Sequence, residues 1–302
     1  VKRAIALAAA VTSLVCVANQ AGAACRTTTC DRLEAPPECN MIENGCNTAG
    51  TPVAWPSSCV STSVSSLGSP LRGVSAEQMR DIVNSAFQQW TNVDCGGGKH
   101  PSFVVDMFPD VSCTDVKGKH EYNRAGPNYN LWMFQDDGWD FDDIDAESAI
   151  AITDVQFDPF TGEIHNADVF LNSFAKNFTT DPNNADFDLP SVVQHESGHF
   201  LGLAHSPVRM STMWPYSFET DTSLRTLDPD DVLGMCAAYP PGNLDPTCDP
   251  EPRHGFSTTC ELAKSSCSLA PARGASRHNA GFVVIAGAML AAIGYRRRWS
   301  RS

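Results

Sequence analysis

Positive charge is scarce in this chain: of 302 residues 21 are Lys or Arg against 35 Asp or Glu, a net charge of -14. Such a surface repels phosphate backbones, so nucleic acid is excluded as a natural partner and no basic groove needs explaining. CxxC pairs are also missing although there are 12 cysteines. Cysteines spread this widely do not make the tight thiolate knuckle of a structural zinc site. Nor is there an apolar run of ordinary membrane-spanning length. The stretch near the C-terminus, Ala280 to Tyr295, has sixteen residues, where a bilayer core usually takes about twenty.

What is present begins with a leader. Lys2 and Arg3 precede an apolar run from Ala4 to Val17, and small residues follow at Ala21, Gly22, Ala23 and Ala24, so residues 1–24 read as a signal peptide and the protein as exported. A lipid-modified start at Cys25 is the alternative. Loss of the leader removes Cys16 and leaves eleven cysteines, enough for five disulfides and one thiol, as an oxidising compartment allows. At the other end Arg296, Arg297, Arg298 and Arg301 follow the apolar stretch directly. That pattern predicts a short transmembrane segment over 280–302 with a cytoplasmic tail.

Composition divides the chain between these ends. Residues 25–50 hold four cysteines among Pro, Asn, Thr and Gly, a disulfide-tied segment too small for a core of its own. Residues 51–240 form the one large domain, and 241–279 a disulfide-containing linker rich in Pro, Ser and Thr. Within the domain, Pro52 to Val64, Phe103 to Phe108 and Asn130 to Phe134 read as strands. Ala149 to Phe157 and Glu163 to Leu171 read as a strand pair around a turn at Asp158 to Gly162. Met79, Ile82, Val83, Ala86, Phe87 and Trp90 share one helical face, behind a capping box of Ser75 and Gln78. Asp188 caps a second helix with Pro190 in its first turn. Asp228 caps a third, with Pro229 first and Asp230 and Asp231 against its positive end. The acidic run Asp136 to Glu147 offers carboxylates for calcium, with a solvated acidic surface as the competing reading. His100, Lys117, Lys119 and His120 could hold a metal, or form a solvated loop.

The chemistry concentrates in HESGHFLGLAH, from His195 to His205. His195 and His199 stand four apart, so on a helix both imidazoles leave one face and can close on a single ion. Glu196 is placed to act on a metal-held water as general base, not as ligand. His205, six residues beyond His199, falls on the wrong side of a continuing helix, so the helix must stop. Gly202 supplies the break, since glycine accepts the left-handed backbone of a helix end. Three neutral histidines and one open position are the ligand set of a catalytic zinc, whereas structural zinc has all four positions filled by protein.

HExxHxxGxxH followed by Met213 in STMWP resembles the metzincin peptidases, and Ser206 directly after the last histidine makes the matrixin branch the nearest. The resemblance implies a twisted, mixed five-stranded sheet with three helices and a zinc cleft, an α+β fold. It implies Met213 as an apolar floor beneath the ligands, and the chain through Thr226 as the wall of a specificity pocket. It also makes Glu163 to Leu171 the sheet edge on which extended substrate pairs. Family members often carry a structural zinc and calcium just upstream of that edge. Only His165 and Asp168 are candidate ligands here, and a second zinc is not expected. No PRCGxPD-like propeptide segment occurs, so the mode of latency is open. Cysteine, polar spacer, apolar stretch and arginine cluster at the C-terminus resemble the sorting tails of myxobacterial surface proteins, in which a sorting protease cuts near the cysteine, here Cys267.

The expected function is an exported zinc endopeptidase, with His195, His199 and His205 as metal ligands and Glu196 as catalytic base. Zn2+ is the cofactor and Ca2+ a possible structural ion. A polypeptide is the substrate, and the protein is a monomer at the cell surface, outer membrane or exterior of a Gram-negative bacterium. The alternative is a non-catalytic zinc-binding surface or adhesion protein on the same scaffold. A zinc hydrolase acting on something other than peptide would need an enclosed pocket instead of a sheet edge.

Overall fold

The computed structural model describes residues 24–31, 39, 41–113, 122–141, 144–184, 186–260 and 283–291. A short hairpin of β1 (Ile42–Glu43) and β2 (Cys46–Asn47) lies in the cysteine-rich segment. The strands and helices that follow are β3 (Cys59–Val64), α1 (Ala76–Thr91), β4 (Val104–Met107), β5 (Leu131–Phe134), β6 (Ala149–Phe157) and β7 (Ile164–Leu171). After them come β8 (Phe178–Thr179), β9 (Phe187–Asp188), α2 (Leu189–Phe200), β10 (Tyr216–Ser217), α3 (Pro229–Ala238) and β11 (Val283–Ala291).

The main sheet has the order β10-β11-β6-β7-β5-β3-β4. Its centre is the expected mixed five-stranded sheet: β4, β3, β5 and β7 run parallel, and β6 returns antiparallel to β7. Two additions extend it, β11 antiparallel on β6 and the two-residue β10 parallel on β11. Expectation and structure differ on the edge of the five. β7 pairs with β5 through Trp132↔Val169 and with β6 through Thr153↔Val169, so Glu163 to Leu171 is interior and β6 is outermost. The cause is nonlocal: once β5 takes β7 in parallel, the hairpin partner β6 can only lie outside it.

The transmembrane segment expected over 280–302 is corrected. Among the described residues no helix is long and apolar enough to cross a membrane, and Val283–Ala291 is a strand registered against β6 from Val283↔Phe157 to Leu290↔Ala149. An apolar run opening on Val283, Val284 and Ile285 suits a strand, and nine residues match strand length, not the twenty or so of a span. The leader up to residue 23, Cys267 and the arginine cluster lie outside the described residues.

The helices pack by the faces their sequences display. Ser75 accepts from the Gln78 N–H at 3.1 Å while the Gln78 side chain accepts from the Ser75 N–H at 2.9 Å, closing the capping box of α1. Met79, Val83, Ala86, Phe87 and Trp90 are buried, with the Phe87 ring 4.9 Å from Phe200 of α2 and 5.9 Å from Trp132 of β5. Among the described residues five disulfides form: Cys25–Cys46, Cys30–Cys39, Cys59–Cys248, Cys95–Cys236 and Cys113–Cys260. The first leaves no Cys25 sulfur to carry lipid. Cys236 staples α3 to the turn after α1, and the two bonds to Cys248 and Cys260 fasten 241–260 to the strand side of the domain. Thr27 N–H donates to the Gly202 carbonyl at 3.0 Å and Ala204 N–H to that of Cys25 at 3.1 Å, so the N-terminal segment braces the turn after α2.

Candidate active site

α2 is held at both ends and along one side. The Asp188 carboxylate caps it, accepting from the Ser191 N–H at 3.0 Å and from the Arg225 guanidinium, whose Nε lies 2.8 Å away. Trp90 Nε1 donates to the Gln194 carbonyl at 3.0 Å. At the far end Trp55 Nε1 donates to the Phe200 carbonyl at 2.8 Å and the Tyr239 hydroxyl to that of Leu201 at 3.1 Å. These bonds take up carbonyls that a helix end leaves without partners.

The helix stops where the sequence requires it to. Gly202 has φ +83°, and a Cβ there would lie 2.5 Å from the Val53 carbonyl oxygen, so both conformation and space demand glycine. The chain turns back beneath α2, and Leu203 O accepts from His199 Nδ1 at 2.9 Å. Thr212 O accepts from His195 Nδ1 at 2.6 Å. A carbonyl can only accept, so in both rings Nδ1 carries the proton and Nε2 keeps its lone pair. The Nε2 atoms of His195 and His205 lie 3.1 and 3.2 Å from that of His199. Lone pairs turned on one another at this range need a cation between them. Tetrahedral zinc with Zn–N of about 2.05 Å sets its ligands about 3.3 Å apart; the two separations from His199 match that spacing, and all three ligating atoms lie within 4.8 Å of one another, so the set converges on one ion. Burial first, and neighbouring imidazoles second, hold His195 well below the usual histidine range. Burial likewise lowers His199 to about 4 and His205 to about 3. All three are neutral ligands at pH 7.

Glu196 is fully buried beside them. Its Oε2 accepts from Thr153 Oγ1 at 2.6 Å, and Oε1 has no hydrogen-bond partner. Burial pushes its carboxyl up to about 8, with the Thr153 bond opposing. A buried acid with one bare oxygen is costly unless a cation and a water complete its surroundings, since a nearby positive charge favours the carboxylate. Orphaned oxygen and converging lone pairs therefore point to the same missing neighbours.

Met213 forms the floor beneath the histidines. Its carbonyl accepts from the Ser206 N–H at 2.8 Å, and a Cβ on Gly198 would lie 2.2 Å from its Sδ. The small residue inside the motif is thus set by the methionine. Asp231 of α3 ties down the Met213 turn, accepting from Ser211 Oγ and from the N–H groups of Thr212 at 2.7 Å and Met213 at 3.2 Å. Asp230 accepts from Ser206 Oγ at 2.6 Å. In the sequence these two aspartates answer only to the helix dipole. Their second task is not signalled, and neither is Thr153, which faces Glu196 across 43 residues of chain.

The other sequence candidates lie apart. His100 Nδ1 is 3.0 Å from the Val93 carbonyl, while Lys117, Lys119 and His120 lie outside the described residues. His165 stacks on Tyr122 with ring centroids 5.5 Å apart, and Asp168 accepts from the Leu131 N–H at 2.7 Å. Asp136 accepts from Ser69 Oγ at 2.7 Å, from the Leu71 N–H at 3.0 Å and from Ser173. Among the described residues His195, His199 and His205 are the one group of three or more such side chains able to hold a metal ion.

Comparison with known proteins meets this geometry. Residues 121–240 match the matrixin peptidase family. The chain is 34% identical over 83 residues to metalloendoproteinase 4-MMP of Arabidopsis thaliana, covering 28% of this chain and 23% of that one. It is 27% identical over 174 residues to the hatching enzyme of Paracentrotus lividus, 58% of this chain and 24% of the relative. With metalloendoproteinase 1-MMP of Arabidopsis thaliana it shares 28% over 168 residues, 56% and 40% of the two lengths. The matched region thus spans well under half of each of these relatives. The three histidines with adjacent Glu196 match the arrangement of a zinc-dependent endopeptidase active site, and residues 121–240 around them are similar to the matrixin family.

Proposed function

We propose that this protein is a zinc-dependent endopeptidase, a reading carried above all by the bare Oε1 of Glu196 beside three converging imidazole lone pairs. His195, His199 and His205 would hold the metal, and zinc in that position lowers the pKa of a bound water and polarises a scissile carbonyl. Thr153 keeps Oε2 of Glu196 fixed, which leaves Oε1 as the atom that takes the proton of the attacking water. Glu196 then returns that proton to the leaving amine. The carbonyls of Thr212 and Leu203 hold the rings of His195 and His199 in the ligating tautomer throughout. A scaffold that only bound zinc would have no use for a buried carboxylate with a bare oxygen, and this weighs against the adhesion reading.

Export to the surface or exterior of a Gram-negative cell is supported by the leader sequence and by five disulfides. A sorting protease acting near Cys267 is supported by the tail sequence alone. A structural calcium is supported by the acidic sequence run Asp136 to Glu147 alone.

The test is hydrolysis of casein and a peptide library by zinc-loaded protein, both as the whole chain and ending after Cys260, with Glu196→Gln beside each. Loss of the general base is expected to lower kcat/KM by about 10²–10⁴-fold while zinc stays bound. Inertness of both wild-type forms with zinc bound would overturn the reading, as would equal rates in wild type and Glu196→Gln.

A further inference from the structure

The zinc cleft has two rims. One is β6, outermost of the five central strands, whose Thr153 bonds Glu196. The other is the segment after the Met213 turn, where β10 begins three residues beyond the methionine. The chain's own β11 lies between them, antiparallel to β6 and parallel to β10. Its register places Gly287 opposite Thr153, level with the catalytic glutamate. At its far end Leu290 and Ala291 pair with Tyr216 and Ser217 on the opposite rim. It also lies against α2, the helix that carries His195, Glu196 and His199.

From this geometry we infer that Val283–Ala291 is an intramolecular occupant of the substrate cleft, which closes the zinc site to other polypeptides until it is displaced. The inference rests on the endopeptidase reading for what is blocked, but not for where the segment sits. An extended peptide reaching the site would need the main-chain groups of β6 and β10, because a sheet edge recognises a peptide by strand addition. β11 uses those groups over eight pairs with β6 and two with β10. A covalently attached competitor acts at high effective concentration, so such a strand restrains the enzyme without tight intrinsic affinity. Latency of this kind would come from strand addition.

The test uses the whole chain with Ala286→Pro and Gly287→Pro together. Neighbouring residues in a strand direct their N–H groups to opposite sides, so one of the two prolines removes a donor facing β6 whichever it is. Hydrogen exchange in a Glu196→Gln background reads occupancy without activity. The amides of 149–157 that face β11 are expected to lose protection in the double-proline variant, and those bonded to β7 to keep it. With Glu196 intact, the same variant and the chain ending after Cys260 are expected to show at least tenfold higher kcat/KM on peptides. A synthetic peptide of residues 283–291 should then inhibit them competitively. Unchanged protection of 149–157 overturns the inference whatever the activities are, and so does equal kcat/KM in active wild-type and variant chains. Inertness of every form with zinc bound, alongside a loss of protection, would instead overturn the endopeptidase reading and leave the strand in its place.

Discussion

Glu196 and the three histidines are neutral in the metal-free protein for one shared reason, burial, but burial moves the two kinds of group in opposite directions. His199 and His205, at about 4 and about 3, bind protons more weakly folded than unfolded. Their contribution is therefore present above pH 6.5 and is lost as pH falls through that value towards 4. Glu196, at about 8, binds its proton more tightly folded, so its contribution is full below pH 4.5 and is lost as pH rises towards 8. Metal-free protein is expected to gain thermal stability from pH 4 to about 6.5 and to lose some from there to 8. Glu196→Gln should abolish the second limb and steepen the first, because the glutamate opposes the histidines above pH 4.5, and a melting series with a chelator checks both. Thr153 acts on the same carboxylate. Its hydroxyl favours the charged form, so Thr153→Val should raise the pKa of Glu196 and move the acid limb of kcat/KM to higher pH. The rate at pH 6 should fall about tenfold, with zinc content unchanged. An unmoved limb would reduce Thr153 to packing.

At the scale of elements, α3 shows how a helix far from the chemistry fixes it. Its Asp231 binds the Met213 turn, whose Thr212 carbonyl orients His195. Asp231→Asn removes charge from bonds worth about 1.5–3 kcal/mol each, and a partner held at this remove from the metal typically costs about 10–100-fold in affinity. Zinc competition with a chromogenic chelator is expected to show that loss. Wild-type affinity in the variant would mean that the turn is held by packing of Met213 under Gly198. The caps at Ser75, Asp188 and Asp228, the His195 to His205 motif and the stop at Gly202 are legible in the sequence, because each is decided within a few residues. Which strand is outermost is not: β6 and β7 both mix apolar residues with an Asp and a side-chain amide, and only the choice of β5 as a neighbour of β7 orders them. Thr153 facing Glu196 depends on that same pairing and leaves no local mark. Val283 to Ala291 misleads for a different reason. An apolar stretch short of a full span fits a bilayer, a helix or a strand until its partner is known.

For the whole molecule, the disulfides do what a larger core would otherwise have to do. Cys113–Cys260 bridges the same stretch as Cys95–Cys236, so opening the latter releases only the path through the former, 18 residues from Cys95 to Cys113 and 24 from Cys236 to Cys260. A loop of that size corresponds to about 4 kcal/mol of chain entropy, against about 2.5 kcal/mol for the short Cys30–Cys39 loop. Replacing Cys95 and Cys236 together with Ala is therefore expected to cost more stability than replacing Cys30 and Cys39, read as denaturant midpoints of metal-free protein. Because Cys236 belongs to the same helix as Asp231, the first pair should also weaken zinc binding, and the second pair should not. Saturating zinc binds only the folded state and adds about 2.7 kcal/mol at a hundredfold excess over Kd, so it should mask much of the deficit in the Cys30 and Cys39 variant. In the Cys95 and Cys236 variant the same total zinc should recover less. Equal recovery in the two would show that α3 holds its place through Tyr239, Asp230 and Asp231 without its disulfide.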